Sequence, residues 1–564
     1  MDNSIYKYVL HNAIKYNGKA NLGAIIGKII NENPDAKNDM KSLSKETSEV
    51  IKKVNSMLLA KQIEELKNIA PEMLEEKKIV EERKLPELPN VKGNVVLRIA
   101  PYPSGPLHIG NAKQVIINDE YVKIYKGKLL LVLDDTIGSE EKNIEPEAYN
   151  LIPEGLEWLG IEFDKNIIYK SDRLEIYYKY GEELIRNNAA YICTCNFELL
   201  RENRAVGKEC SCRSKDVKTI LSQWNDMLNN KYKEREAVLR LKTSMNHPNP
   251  AFRDRVLFRI SEREHPRVGN KYKVWPTLEM TWAVDDYLLK ITHVIRGKEL
   301  MIESDMQRFI WEILKWKGPE LIHTGLLTIE GVKLSKSKSK KEVKEGKYFG
   351  WDDPRTWSLQ ALRRRGIKPE ALRKFILSFG INTHEVTISV DKIYAENRKV
   401  IEEFSNRYFL VEDPLEITIE NFKGSQIEIK KHPDFPDRGF RKYKVNNKFF
   451  ISNIDYNNIE DGKVNRLMDC CNFTKNKSKF EFHSLEYEHF RDSKNKGFNI
   501  HYVPKIDGIV NFDVVLDDGT LIEGVGEPLV STLKVDDIIQ AERRFYCRLD
   551  KIENGKYRFW FTHK

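Results

Sequence analysis

The chain has 564 residues, 40% hydrophobic and 32% charged, with 94 basic against 85 acidic side chains and a net charge of +9. That length exceeds what one core organises and suggests roughly three to five domains. No apolar run approaches the ~20 residues of a membrane span, and the amino terminus lacks the apolar stretch and cleavage site of a secretory signal, so a cytoplasmic protein with no membrane partner is expected.

In chain order, residues 1–92 read as helical, with apolar positions at helical spacing in LHNAIKYNGKANLGAIIGKII and TSEVIKKVNSMLLAKQIEEL. The charged, proline-bearing stretch EEKKIVEERKLPELPNVKGN then reads as a linker. VVLRIA (95–100) and KLLLVLDD (128–135) read as strands on either side of a helical AKQVIINDEYVKIYKG, an order that implies a parallel crossover and an α/β sheet over 93–190. Residues 191–285 mix helix and strand signals without clear period and read as an insertion; alternation resumes over 286–345. Helices are expected over 346–400, in LRKFILSFG and DKIYAENRKVIEEF. Residues 401–564 read as an all-β module, with hairpin turns at Asp518-Gly519 and Asn554-Gly555.

Two stretches could carry chemistry. PSGPLHIGNAK (103–113) joins a strand to a helix through glycines that admit a ligand to the backbone, and the helix start favours an anion such as a phosphate. It is neither GxxxxGK[ST] nor GxGxxG, and by itself it is better explained as a tight turn with an exposed histidine. VKLSKSKSKKEVKEGK (332–347) is a basic, serine-rich, flexible run able to bring ammonium groups to a polyphosphate, although most such runs are solvated loops. Separately, Cys193, Cys195, Cys210 and Cys212 offer four thiolates within twenty residues, enough for a closed structural Zn2+ site. Their one-residue spacing is tighter than the commonest zinc pattern, and four buried free cysteines are the alternative.

Taken together, HIGN (108–111) and KLSKS (333–337) resemble the HIGH and KMSKS motifs of class I aminoacyl-tRNA synthetases, in the right order and with the expected insertion between them. RIAPYPSGPLHIGNAK, LDDT, FRDRVLFRI, VWPTLEMTWAVDDYLLKITHVIRG, WDDPRTWSLQALRRRG and GFRKYKV follow the pattern of the glutamyl/glutaminyl subgroup, so the likeness spans nearly the whole chain. It implies a helical N-terminal extension (1–92), a Rossmann-like catalytic domain in two halves (93–190 and 286–345), an inserted acceptor-stem-binding domain with a zinc knob (191–285), a helical connector (346–400) and anticodon-binding β-barrels (401–564). It further implies ATP with Mg2+, L-glutamate and tRNA(Glu) as partners, tRNA(Gln) as an alternative acceptor, and a monomer. By the same resemblance Pro106, His108, Gly110, Asn111, Lys333, Leu334, Ser335 and Lys336 would hold ATP, with His108, Asn111, Lys333 and Lys336 catalytic. Arg98, Ala100, Asp134, Leu278 and Arg296 would hold the amino acid. Arg296 stands where glutaminyl enzymes usually carry cysteine, which favours glutamate. Basic residues in LRRRGIKPEALRK (362–374) could follow the tRNA phosphates.

Three positions depart from the subgroup: Asn111 replaces the second histidine of HIGH, Val132 the arginine usual before DDT, and Leu278 a substrate-contacting tyrosine. They keep two alternatives in view, a glutaminyl enzyme and a tRNA-binding relative without catalysis.

Overall fold

The computed structural model of the protein describes residues 3–15, 18–32, 39–73, 85–138, 143–332 and 336–564. Two compact units divide the chain, Met1–Lys84 and Leu85–Lys564. The first contains α1 (Asn3–Lys15), α2 (Leu22–Glu32), α3 (Met40–Asn55) and α4 (Leu59–Ile69). Its core is the apolar stripe the sequence displays: Ile5 and Val9 from α1, Ile25 and Ile29 from α2, Val50 and Val54 from α3. The unit closes short of residue 92 because the chain from Leu85 onward packs into the next core. Leu88 is buried there and donates its N–H to the Tyr125 hydroxyl at 2.9 Å, while the Pro86 carbonyl accepts from Tyr121 at 2.8 Å. Residues 75–84 of the expected linker lie outside the described residues.

In the second unit β1 (Val96–Ile99), α5 (Ile109–Tyr125) and β2 (Lys128–Leu133) form the expected parallel crossover, with Val96 opposite Lys128 and Ile99 opposite Leu131. After α6 (Ala148–Trp158), β3 (Ile168–Tyr169) extends the sheet in parallel beside β2. Next come α7 (Leu174–Arg186) and a four-stranded antiparallel sheet of β4 (Ala190–Cys193), β5 (Val238–Leu241), β6 (Val256–Ile260) and β7 (Val274–Pro276), with α8 (Phe197–Val206) and α9 (Val217–Leu228) between its first two strands. Tyr177, Trp224, Phe258 and Trp275 are fully buried in that core. The chain returns through α10 (Leu278–Leu288), a helix buried at every position from Glu279 to Asp286. It then forms β8 (His293–Gly297), α11 (Met301–Leu314) and β9 (Glu320–Thr324), and β9 pairs in parallel with β8. Thr292, just before β8, donates its N–H to the Val96 carbonyl at 2.9 Å, so this second parallel pair lies alongside β1.

Two expectations change beyond this point. The run after residue 335 is α12 (Lys336–Lys344) rather than a flexible loop, because lysine and glutamate favour helix even without an apolar stripe. Residues 346–400 hold α13 (Leu359–Arg364), α14 (Pro369–Leu377) and α15 (Asp391–Ile401), but they also contain β11 (Val386–Ile388), which pairs in parallel with β10 (Leu327–Ile329).

Beyond residue 404 the chain is β-rich, with two seven-stranded sheets and two short helices, Asn453–Asn458 and Tyr487–Arg491. Both expected hairpins are present: Val510–Val515 pairs with Leu521–Gly526, and Phe545–Glu553 pairs with Lys556–His563. The second turns through Asn554 and Gly555 at φ 51° and 75°, the left-handed pair that suits the twist of a two-residue hairpin. Among the described residues no helix is long and apolar enough to cross a membrane.

Candidate active site and metal centre

The segment after β1 turns at Gly105, where φ is 144° and a Cβ would lie 2.8 Å from the Trp351 ring, so glycine is required there on both counts. Pro106 is buried in this turn and Gly110 is half-buried in the first turn of α5. His108 caps α5: its Nδ1 accepts the Gly110 N–H at 3.1 Å, and the Asn111 side-chain carbonyl accepts the His108 N–H at 3.2 Å. The Asn111 oxygen closes this capping box, leaving the amide Nδ2 as its donor. Because Nδ1 accepts, the proton of His108 sits on Nε2. Burial, reinforced by the nearby Lys336 charge, pulls this imidazole down to about 4, so it is neutral near pH 7. The loop is fixed from the other side by Ile109 N–H on the Trp357 carbonyl (3.1 Å) and Leu359 N–H on the Leu107 carbonyl (2.9 Å).

Lys336, at the start of α12, approaches the Gly105 carbonyl at 3.5 Å, and burial lowers its ammonium to about 8. Lys340, one turn on, pairs with Glu145, whose N–H donates to the Pro103 carbonyl at 2.8 Å. Thus the basic helix and the strand-to-helix loop meet. Lys333, Leu334 and Ser335 lie outside the described residues.

A second cluster surrounds Trp282 on α10. Three cations face its ring: Arg98 at 5.2 Å, Lys170 at 5.4 Å and Arg296 at 4.8 Å from the centroid. Arg98, at the end of β1, forks onto Asp286 at 2.5 and 3.0 Å. Gln307 donates to the same carboxylate at 2.8 Å. Arg296, on β8, directs Nη2 to Ser304 and to Gln307 Oε1 (2.5 Å), while its Nε and Nη1 are buried without a hydrogen-bond partner. Burial and the like charge of Arg98 push this guanidinium down to about 9, which still leaves it charged at neutral pH. Asp134 follows β2 and pairs with Lys170 at 3.0 Å; burial raises its carboxyl above the ordinary range. Its neighbour Asp135 is a brace, accepting from Ser171 N–H (2.8 Å), Ser171 Oγ (2.7 Å) and the Tyr149 hydroxyl (3.0 Å). Ala100 and Leu278 are half-buried, the latter opening α10.

Lys170, Trp282, Asp286 and Gln307 escaped the sequence reading. WAVDDY carries the signal for two of them, as paired aspartates beside a tryptophan in a buried helix, whereas Lys170 in YKSDR belongs to no motif.

The four cysteines converge at the end of β4 and the loop before α9, their sulfurs all within 4.8 Å of one another. Cys193 lies 3.7 Å from Cys210 and Cys195 lies 3.9 Å from Cys212, far beyond a disulfide bond and close to the edge, about 3.8 Å, of a tetrahedron drawn with Zn–S bonds of ~2.3 Å. Arg240 Nη1 approaches Cys193 at 3.8 Å, and the Tyr191 hydroxyl lies 3.7 Å from Cys210, contacts that would steady thiolate charge.

The basic run 362–374 is mostly engaged within the protein. Arg364 bonds Asp550 at 2.9 and 2.7 Å and Asp352 at 2.8 Å, Arg365 is buried on the Phe561 and Thr562 carbonyls, and Arg373 pairs with Asp119 and Glu120. The spacing of these arginines along α13 and α14 serves packing between elements more than a solvent-facing basic track.

Residues 94–403 match the family described as tRNA synthetases class I (E and Q), catalytic domain, and residues 405–488 match the anti-codon binding domain of the same class. Full-length relatives bear this out. The glutamate–tRNA ligase of Pyrococcus furiosus is 44% identical over 574 residues, covering 99% of this chain and 99% of the relative. The enzyme of the same name from Thermococcus kodakarensis is 43% identical over 571 residues, 99% of each, and that of Methanobrevibacter smithii 41% over 566 residues, 100% of each. The chain belongs to the glutamate–tRNA ligase family.

Proposed function

We propose that the chain activates L-glutamate with ATP and transfers it from the adenylate to the 2′-OH of the terminal adenosine of tRNA(Glu), with the residues described above in these steps. The observation that carries the choice of amino acid is Arg296, a buried charged guanidinium with two nitrogens, Nε and Nη1, lacking partners beside a second arginine. A γ-carboxylate compensates such a fork, whereas a neutral amide leaves the charge unbalanced. Leu278 adds to this by presenting no hydroxyl to a glutamine amide. Asp134 would take the substrate α-ammonium, with Arg98 and Ala100 beside it.

The α-carboxylate is already ionised near neutrality and needs no general base to attack the α-phosphorus of ATP. Catalysis then rests on positioning and on countering charge as it develops. His108 Nε2–H, the Asn111 amide and the start of α5 supply neutral donors, with Pro106 and Gly110 shaping the approach. Lys336, with Lys333, Leu334 and Ser335 before it, supplies the basic side toward the phosphates and their Mg2+.

Cys193, Cys195, Cys210 and Cys212 fit a structural Zn2+, which would cross-link β4 to the loop before α9. In this reading residues 191–285 are an acceptor-stem-binding insertion in a Rossmann-like domain, the β-rich region closes into anticodon-binding barrels, tRNA(Gln) is an alternative acceptor, and the enzyme is a monomer.

Aminoacylation with ATP, Mg2+ and separate tRNA(Glu) and tRNA(Gln) transcripts tests this. Glutamyl ester on tRNA(Glu) is expected. Glutamine transfer would overturn the Arg296 argument, and binding of tRNA without transfer of either amino acid would make the protein a binding module.

A further inference from the structure

Lys170 is an ammonium with no exposed surface, placed directly after β3. The β2–β3 register, with Val132 opposite Ile168 and Leu133 opposite Tyr169, carries on to set Lys170 beside Asp134 and Ser171 beside Asp135. Two of its three N–H groups have acceptors, Asp134 at 3.0 Å and the Thr281 hydroxyl at 2.7 Å, and the face of Trp282 lies 5.4 Å from the ammonium. Asp134 is engaged strongly through one oxygen; among the described residues its Oδ1 accepts a single hydrogen bond, a long one from the Thr136 hydroxyl at 3.4 Å. Val132, buried with Leu130, Ile291 and Val294, brings no charge to this carboxylate from β2, and Arg98 is committed to Asp286. A carboxylate this deep stays ionised only beside a cation, and Lys170 is its one ion-pair partner among the described residues.

From this geometry we infer that Lys170 is a positioning residue for glutamate: it keeps Asp134 ionised and holds one of its oxygens, so that the other is presented to the substrate α-ammonium. The inference rests on the proposed role of Asp134. Lys170 acts through that carboxylate and touches neither substrate carboxylate, so its loss should weaken only ligands that carry an α-amino group.

The test compares glutamate with glutarate, which has both carboxylates and no amino group, as a competitive inhibitor of aminoacylation. Lys170→Met should raise KM for glutamate about tenfold or more with little change in kcat or in KM for ATP, while Ki for glutarate stays near its original value. Lys170→Arg, which keeps the charge, should retain most of the preference for glutamate. If Lys170→Met does not fold, Lys170→Gln poses the same question, since it keeps donors without charge. Parallel weakening of glutamate and glutarate in the Lys170 variants would overturn the inference, as it would mean direct contact or a general packing defect. So would an unchanged preference in Lys170→Met alongside a lost preference in Asp134→Asn. An unchanged preference in Asp134→Asn would instead remove the proposed role of Asp134 itself.

Discussion

At the scale of single residues, Arg296 combines two properties that usually oppose each other. It is 6% exposed and charged, yet two of its nitrogens have no acceptor, and the carboxylate of the cluster, Asp286, is already forked by Arg98. Such a side chain weakens the free protein, and in its proposed role it strengthens the complex with glutamate. Arg296→Gln should therefore lower kcat/KM for glutamate by roughly 30-fold to several thousand-fold, the equivalent of about 2–5 kcal/mol for one partner of a buried charge pair. The thermal midpoint of the ligand-free protein should meanwhile rise, which differential scanning calorimetry on the same two samples would read. His108, Arg98, Asp134 and Arg296 were legible in the sequence because each sits in a short stretch with a recognisable neighbourhood. Their partners were not: Asp286 meets Arg98 across 188 residues, and Thr281 meets Lys170 across 111. Spacing along a chain says nothing about pairs so far apart, and a lone lysine looks like surface until burial shows otherwise.

At the scale of elements, the parallel crossover and the terminal hairpins were readable because period and turn chemistry are local properties. The three-residue strand β11 is too short to show a period, and α12 has no apolar face to betray it. Two elements invite direct tests. The segment from the end of β4 to the start of α9 has its four sulfurs at the spacing of a metal tetrahedron, so the purified protein should contain about one zinc per chain by plasma emission spectrometry. Cys195→Ser, or prolonged chelation, should expose residues 193–212 to limited proteolysis while leaving the main unfolding transition nearly in place. The second element is α13, joined to the last β-hairpin by Arg364, which forks onto the largely buried Asp550 and lies 4.0 Å over the Trp560 ring. Arg364→Ala strands that carboxylate with only Arg548 to compensate it, and should cost about 2 kcal/mol of stability, read from the urea midpoint at unchanged slope.

For the molecule as a whole, buried histidines set part of the response to acid. His563 has no exposed surface, stands between the rings of Tyr394 and Tyr546, and is pulled down to about 4 by burial. Between pH 6.5 and 4 the unfolded chain takes up a proton that folded His563 refuses, so stability is lost as pH falls through that interval and is fully present above it. His563→Phe keeps both ring contacts and removes the proton. Its stability, measured by urea titration at pH 7 and pH 5, should fall less on acidification than that of the parent. The carboxylates raised by burial, Asp134, Asp285 and Glu527, act in the opposite direction and are common to both proteins, so the difference isolates the histidine. Arg365 carries a different consequence of the same long-range architecture. Its guanidinium is buried on carbonyls 196 and 197 residues further along the chain. At a synthesis rate of about 5–20 residues per second, roughly 10–40 s separate the emergence of α13 from that of the strand that completes it. During each round of translation the segment beside the HIGN loop therefore waits, with a charged group and no lid over it, for a chaperone or for that strand to emerge.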